Sequence, residues 1–139
     1  MPTSEEHDAT VEEQRLNVLM EVSNTMVRLF KTQFGRGPTS ARSYWAGPDA
    51  MMCILEDTLT LAERNLLKLG EHQRLRDTRL VFQYSSIAEF GRPVEQISGR
   101  TLRAFLSSTD TEVDGQSVEV FVFHPKGYEG PSRTESTAT

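Results

Sequence analysis

The stretch that most restricts the fold is residues 101–124, TLRAFLSSTDTEVDGQSVEVFVFH. Val118, Val120 and Val122 alternate with Glu119, Phe121 and Phe123, a two-residue period that strands show and helices do not. Asp114-Gly115 is a favoured dipeptide for a two-residue hairpin turn, so the spacing predicts a β-hairpin. Near 121–123 both alternating sets are apolar, which predicts that the end of the second strand is covered on both sides. In a small domain with few helices the second cover is expected to be another subunit, giving a homodimer.

A second hairpin is expected over 41–57, where ARSYWAGPDAMMCILED places two short strands around Gly47-Pro48-Asp49. Each hairpin follows a helical stretch. The first helix is expected at roughly 10–34, with Thr10 and Glu13 as a capping box and Leu19, Val22, Met26, Leu29 and Phe30 as its apolar stripe. Gly35 can close it in a left-handed conformation, and Pro38 forbids its continuation. Thr60 and Glu63 repeat the capping box and open a second helix through Leu69. The apolar pattern weakens at Gly70 and resumes at Leu80, Tyr84, Ile87, Phe90, Val94 and Ile97, with Pro93 as a bend and Gly99 as the stop. The expected fold class is α+β, in the order αββα(α)ββ, with a four-stranded, mostly antiparallel sheet packed by helices. The expected domain is 10–125, between a disordered acidic tail at 1–9 and a disordered tail at 126–139.

A chain of 139 residues is one domain's worth. Its net charge of -5 is uneven. Of 20 acidic residues, Glu5, Glu6, Asp8, Glu12 and Glu13 precede residue 14, and Glu129 and Glu135 follow His124. Of 15 basic residues, only Lys126 and Arg133 lie outside 14–124. The body is therefore neutral, with 13 of each sign, and this argues against a nucleic-acid binder. No stretch reaches the roughly 20 apolar residues of a membrane span, and the N-terminus lacks the pattern of a signal peptide. The single Cys53, in MMCIL, reads as a buried thiol in a reducing cytoplasm.

Catalytic and metal signals are sparse. His7, His72 and His124 have no second ligand at helical spacing, and no nucleophile turn or Cys–His signature is present. Asp110, Glu112 and Asp114 read as a solvated hairpin tip, because their spacing is not that of a calcium loop. The expectation is no catalytic residues, no metal, no cofactor and no enzymatic activity.

Two arginine-bearing stretches remain. Residues 22–48 hold Arg28, Lys31, Arg36 and Arg42 without an Asp or Glu, and Tyr44 and Trp45 follow Arg42 closely. GEHQRLRDTR, residues 70–79, carries Arg74, Arg76 and Arg79 against Glu71 and Asp77. A helix face paired internally through Glu71 and Arg74 is one reading of this run; planar guanidinium forks gripping a partner's carboxylate is the other.

The strings MVRLFKTQFGRGPTSARSYWAGPD, LEDTLTLAERNLLKLGEHQRLRDTR and DTEVDGQSVEVFVFHP together resemble the MpsC-like family, over roughly 15–125. Named members of that family look like components of a cation-translocating, membrane-potential-generating system linked to inorganic-carbon uptake. The resemblance implies a bacterial accessory or regulatory subunit of a membrane cation or bicarbonate system, cytoplasmic or held at the membrane through a transporter partner, and acting by protein contact. It supplies no catalytic residues. On this reading Arg36, Arg42, Trp45, Arg74, Arg76 and Arg79 contribute to the contact surface. The alternative is a dimeric sensor of a small anion or metabolite, built on the basic, aromatic segment at 36–45.

Overall fold

The computed structural model describes residues 4–135, with side chains from Thr10 onward. Helix α1 (Ser4–Phe34) leads into strands β1 (Ser40–Trp45) and β2 (Ala50–Glu56). Helices α2 (Leu61–Lys68), α3 (His72–Ser85) and α4 (Ile87–Ser98) follow, then β3 (Leu102–Thr109), β4 (Ser117–Phe123) and a short 3-10 turn at Arg133–Glu135. The four strands form one antiparallel sheet in the order β1-β2-β4-β3. This is the expected α+β class and order, with the second helical stretch divided into three.

Pairing fixes which side chains share a face. Cys53 stands opposite Ser43 on β1 and Glu119 on β4, and Glu119 stands opposite Ser107 on β3. Met51, Phe121 and Phe105 form the next row. These rows face the helices. Val22, Met26 and Phe30, at four-residue steps on α1, pack there with Ile87, Phe90 and Val94 of α4. Phe121 and Phe123 are buried at this centre, each contributing roughly 1.5–3 kcal/mol by leaving water. Phe105 stacks between Phe121, at 5.1 Å, and Phe90, at 6.0 Å.

Local signals explain several boundaries. Thr60 accepts from the Glu63 N–H at 3.1 Å while Glu63 accepts from the Thr60 N–H at 2.9 Å, a complete capping box at the start of α2. Gly99 closes α4 with φ 69. Pro93 lies within α4 and does not end it. The division falls instead at Ser86, whose hydroxyl bonds to Gln33 of α1.

Three boundaries differ from expectation. Helix α1 already runs from Ser4, so Thr10 lies within the helix instead of capping it, and the expected tail is helical over 4–9. Residues 1–3 of that tail lie outside the described residues. The second hairpin turns through a loop from Asp110 to Gln116, closed by the Asp110 N–H bonding to the Gln116 carbonyl at 2.8 Å. Gly115 is in the left-handed region (φ 73), as the dipeptide implied, but its carbonyl is taken by the Thr58 hydroxyl at 2.7 Å. A Cβ there would stand 2.3 Å from Leu59; docking against that segment widened the turn.

The third difference is at the C-terminus, where the segment expected to be disordered packs through Glu135. Thr134 is buried, and with Ser132 it donates to the Glu95 carboxylate at 3.1 and 2.6 Å. Gly91 of α4 makes room for it, since a Cβ there would stand 2.7 Å from the Thr134 methyl. Residues 136–139 lie outside the described residues.

Candidate functional site

The six residues proposed from the sequence fall into distinct environments. Arg36 forks onto Asp57 at 3.0 and 3.3 Å and donates to the Leu59 carbonyl at 2.7 Å. Arg64 pairs with the same carboxylate. The Arg36 hydrogen bonds, more than the nearby charges, hold the Asp57 carboxyl below its usual range. Arg36 thus fastens the β2–α2 link to the end of α1.

Trp45 serves the core. Its indole N–H donates to the Arg15 carbonyl at 3.3 Å, the Arg15 guanidinium lies 4.7 Å over its ring, and Phe123 lies 6.4 Å away. Arg79 is buried as well. It grips Glu63 at 2.6 and 2.7 Å, donates to the Thr58 carbonyl at 2.9 Å and stacks 4.2 Å over Phe34. Hydrogen bonds from Arg79 and Thr60 outweigh the burial of Glu63 and leave its pKa lowered. Arg79 is therefore an internal strut, which corrects its reading as a surface group, while Arg36 stays half-exposed with its fork taken by Asp57.

The exposed members are Arg42, Arg74 and Arg76. Arg74 lies 3.8 Å from Glu71, the pairing one turn along the helix that the sequence allowed. Arg42 projects from β1, and Arg76 lines a depression beside Ser108 and Thr109 of β3. These strands are opposite edges of the sheet, so the six residues do not form one patch.

Behind Arg79 lies a polar enclosure that the sequence did not signal. Glu119 is 2% exposed on the helix-covered face. One carboxylate oxygen accepts from the Ser107 hydroxyl at 2.9 Å, and the other has no partner. It borders a cavity of about 20 Å³ that Gln33, Arg79, Gln83 and Ser86 also line, room for about one water molecule. Burial pushes the Glu119 pKa up to about 7 against the Ser107 bond and the Arg79 charge. Burial likewise pushes Cys53 up to about 11. Glu119 is thus a proton-binding group near neutrality, and Cys53 is a poor nucleophile.

The opposite face of the same sheet carries Met52 and Ile54 from β2, Val118, Val120 and Val122 from β4, and Ala104 and Leu106 from β3. The β2 and β4 members are half-buried by their neighbours alone, and Leu106 is 56% exposed. The helix contacts concentrate on the other face, and no described element seals this one. Arg42 and Tyr44 flank it at β1. An uncovered aliphatic sheet face is suited to protein contact. Its signal was present in the alternation at 118–123, which required a cover on both sides without specifying it.

Among the described residues no cluster of three or more His, Cys, Asp or Glu side chains is placed to hold a metal ion. Among the same residues no helix is long and apolar enough to cross a membrane. Residues 14–125 match the family model described as "Na+-translocating membrane potential-generating system (MpsC)". No curated protein and no solved structure matches the chain.

Proposed function

Because the chain belongs to the MpsC family, we propose that it is a non-enzymatic accessory subunit that works by docking on a membrane-embedded component of a cation-translocating system. The observation that carries this reading is the aliphatic sheet face formed by Met52, Ile54, Val118, Val120, Val122 and Leu106. Burying such a face against a partner gains roughly 25 cal/mol per Å² of apolar surface, whereas leaving it wet gains nothing. Arg42 at one rim and Arg76 at the other supply guanidinium forks for carboxylates on the partner, and we assign the surface role to these two, leaving Arg74 to its pairing with Glu71. Trp45 and Arg79 support the fold from within, and Arg36 ties the β2–α2 link to the end of α1. The protein acts as a cytoplasmic homodimer bound to the membrane through this partner.

The rival reading, a small-anion sensor at 36–45, retains only Arg42 as an exposed guanidinium, because Asp57 occupies Arg36. A photo-reactive residue in place of Val120 tests the docking reading in the native host. The expected result is an adduct with a membrane-embedded protein, absent when the same group replaces Gln73 on the exposed face of α3, beside Asp77. An adduct from Gln73 and none from Val120 would contradict it.

A further inference from the structure

The two edges of the sheet are treated differently. At the β3 edge Gln83 of α3, with its amide oriented to satisfy both contacts, donates to the Ser107 carbonyl at 2.9 Å and accepts from the Ser107 N–H at 3.0 Å. One helix side chain thus caps that edge at its centre. The β1 edge has no such cap. The Ala46 N–H bonds to the Ala50 carbonyl at 2.9 Å, which fixes the alternation of the ladder: Arg42 and Tyr44 direct their backbone groups toward β2. The N–H and C=O groups of Ala41, Ser43 and Trp45 consequently point away from the sheet, and among the described residues none has a hydrogen-bond partner.

Beside this edge runs a groove of about 460 Å³, with α1 as one wall and β1 as the other. Leu16 and Met20 of α1, 56% and 64% exposed, line it along with Ala41, Ser43 and Tyr44 of β1. Unpaired strand edges recruit other strands, and an apolar wall beside such an edge holds what is recruited.

We propose that this edge is the seam of a symmetric dimer, in which β1 pairs antiparallel with β1 of a second copy about an axis at Ser43. The proposal rests on the homodimer reading above and assigns its interface. The choice of occupant follows from self-complementarity. With Ser43 opposite the partner's Ser43, Ala41 bonds the partner's Trp45, and every outward group at these positions gains one partner, each bond recurring in its symmetry mate. The same register sets Arg42 opposite the partner's Tyr44, a cation against an aromatic ring. Shifting the axis to Arg42 would oppose two guanidiniums, and shifting it to Tyr44 would set Ala41 opposite Gly47, beyond the strand, so Ser43 is the register that pairs all three outward residues. Leu16 and Met20 are then covered by the partner's helix. The two sheets become one of eight strands, and the two aliphatic faces become one continuous docking surface.

Solution mass of the full chain tests this, followed by cross-linking. The wild type is expected at about 31 kDa, twice its 15.7 kDa. Ser43→Pro removes an outward N–H that β2 does not use, a position at which an edge strand tolerates proline, and is expected to give a monomer. Met20→Lys, on an exposed position, is expected to do the same with an unchanged circular dichroism spectrum. Mixing Arg42→Cys with Tyr44→Cys protein should give a disulfide-linked pair under oxidation, and neither variant alone should. A wild type that is monomeric throughout would overturn both the seam and the homodimer reading, whether or not an added extended peptide binds β1. A dimer that survives both Ser43→Pro and Met20→Lys, with no mixed disulfide, would overturn the seam alone and leave the homodimer to another face.

Discussion

The two faces of the sheet are built from the same strands and invert the usual assignment. The helix-covered face holds Glu119, Ser117, Ser107 and Cys53 among its phenylalanines, whereas the open face is lined by valine, isoleucine, leucine and methionine. A slip of one residue in β4 would exchange them, bringing Val118, Val120 and Val122 inside and Glu119 out. What prevents it is size: Phe121 and Phe123 share the face of Glu119, and each buries more apolar surface than a valine. The covered face thus accepts a carboxyl it must hold protonated or solvate with a trapped water. The open face keeps aliphatic surface that a lone subunit leaves wet, and this contrast is the reason to place contact on one face and proton binding on the other.

The covered face is the more fragile. Replacing Arg79 by Met leaves the Glu63 carboxylate, with 13% of its side chain exposed, without its charge partner. The expected loss is roughly 3–5 kcal/mol, read from urea unfolding; a loss below about 1 kcal/mol would show that Glu63 is not held as described.

Glu119→Gln acts in the opposite direction and depends on pH. The folded-state pKa of about 7 lies above the ordinary 4.5, so between these values the folded protein holds a proton that the unfolded chain has released. Native stability therefore falls as pH rises through that window and levels off above it. The variant is expected to gain roughly 3 kcal/mol over wild type at pH 8 and almost nothing at pH 4. Parallel stability curves for the two proteins from pH 4 to pH 8 would remove Glu119 from this role.

On the open face the effects on folding shrink and those on binding grow. Val120→Glu should shift stability by less than about 1 kcal/mol, since the site remains accessible to water, while abolishing the membrane-protein adduct formed from a photo-reactive group at Leu106. Arg74→Ala, which removes only a long, exposed pairing to Glu71, should cost under about 0.5 kcal/mol in the same unfolding assay.

Much of this contrast was legible in the sequence. The alternation at 118–123, the capping box of Thr60 and Glu63, and the stop at Gly99 are local signals, and each forms where the residues place it. What escaped depends on partners distant in the chain. Arg36 finds Asp57 and Arg79 finds Glu63 only after the helices dock. Arg76 and Arg79, nearly one turn apart on α3, look alike in GEHQRLRDTR, yet one is exposed and the other buried. The apolar residues of α3 conceal which side faces inward, since Leu75 is buried while Leu80, Val81 and Tyr84 are exposed. The docked C-terminal segment was equally hidden, because its anchor is a threonine, Thr134, fitted against a glycine.

The most direct test of the central claim is co-sedimentation of the purified full chain with membrane vesicles that contain the translocating component and with vesicles that lack it, using wild type and a Val118→Glu/Val120→Glu variant. The account predicts that wild type sediments only with the component present and that the variant, folded by circular dichroism, stays in the supernatant. Equal sedimentation of the two proteins, or binding that ignores the component, would contradict docking through the open face.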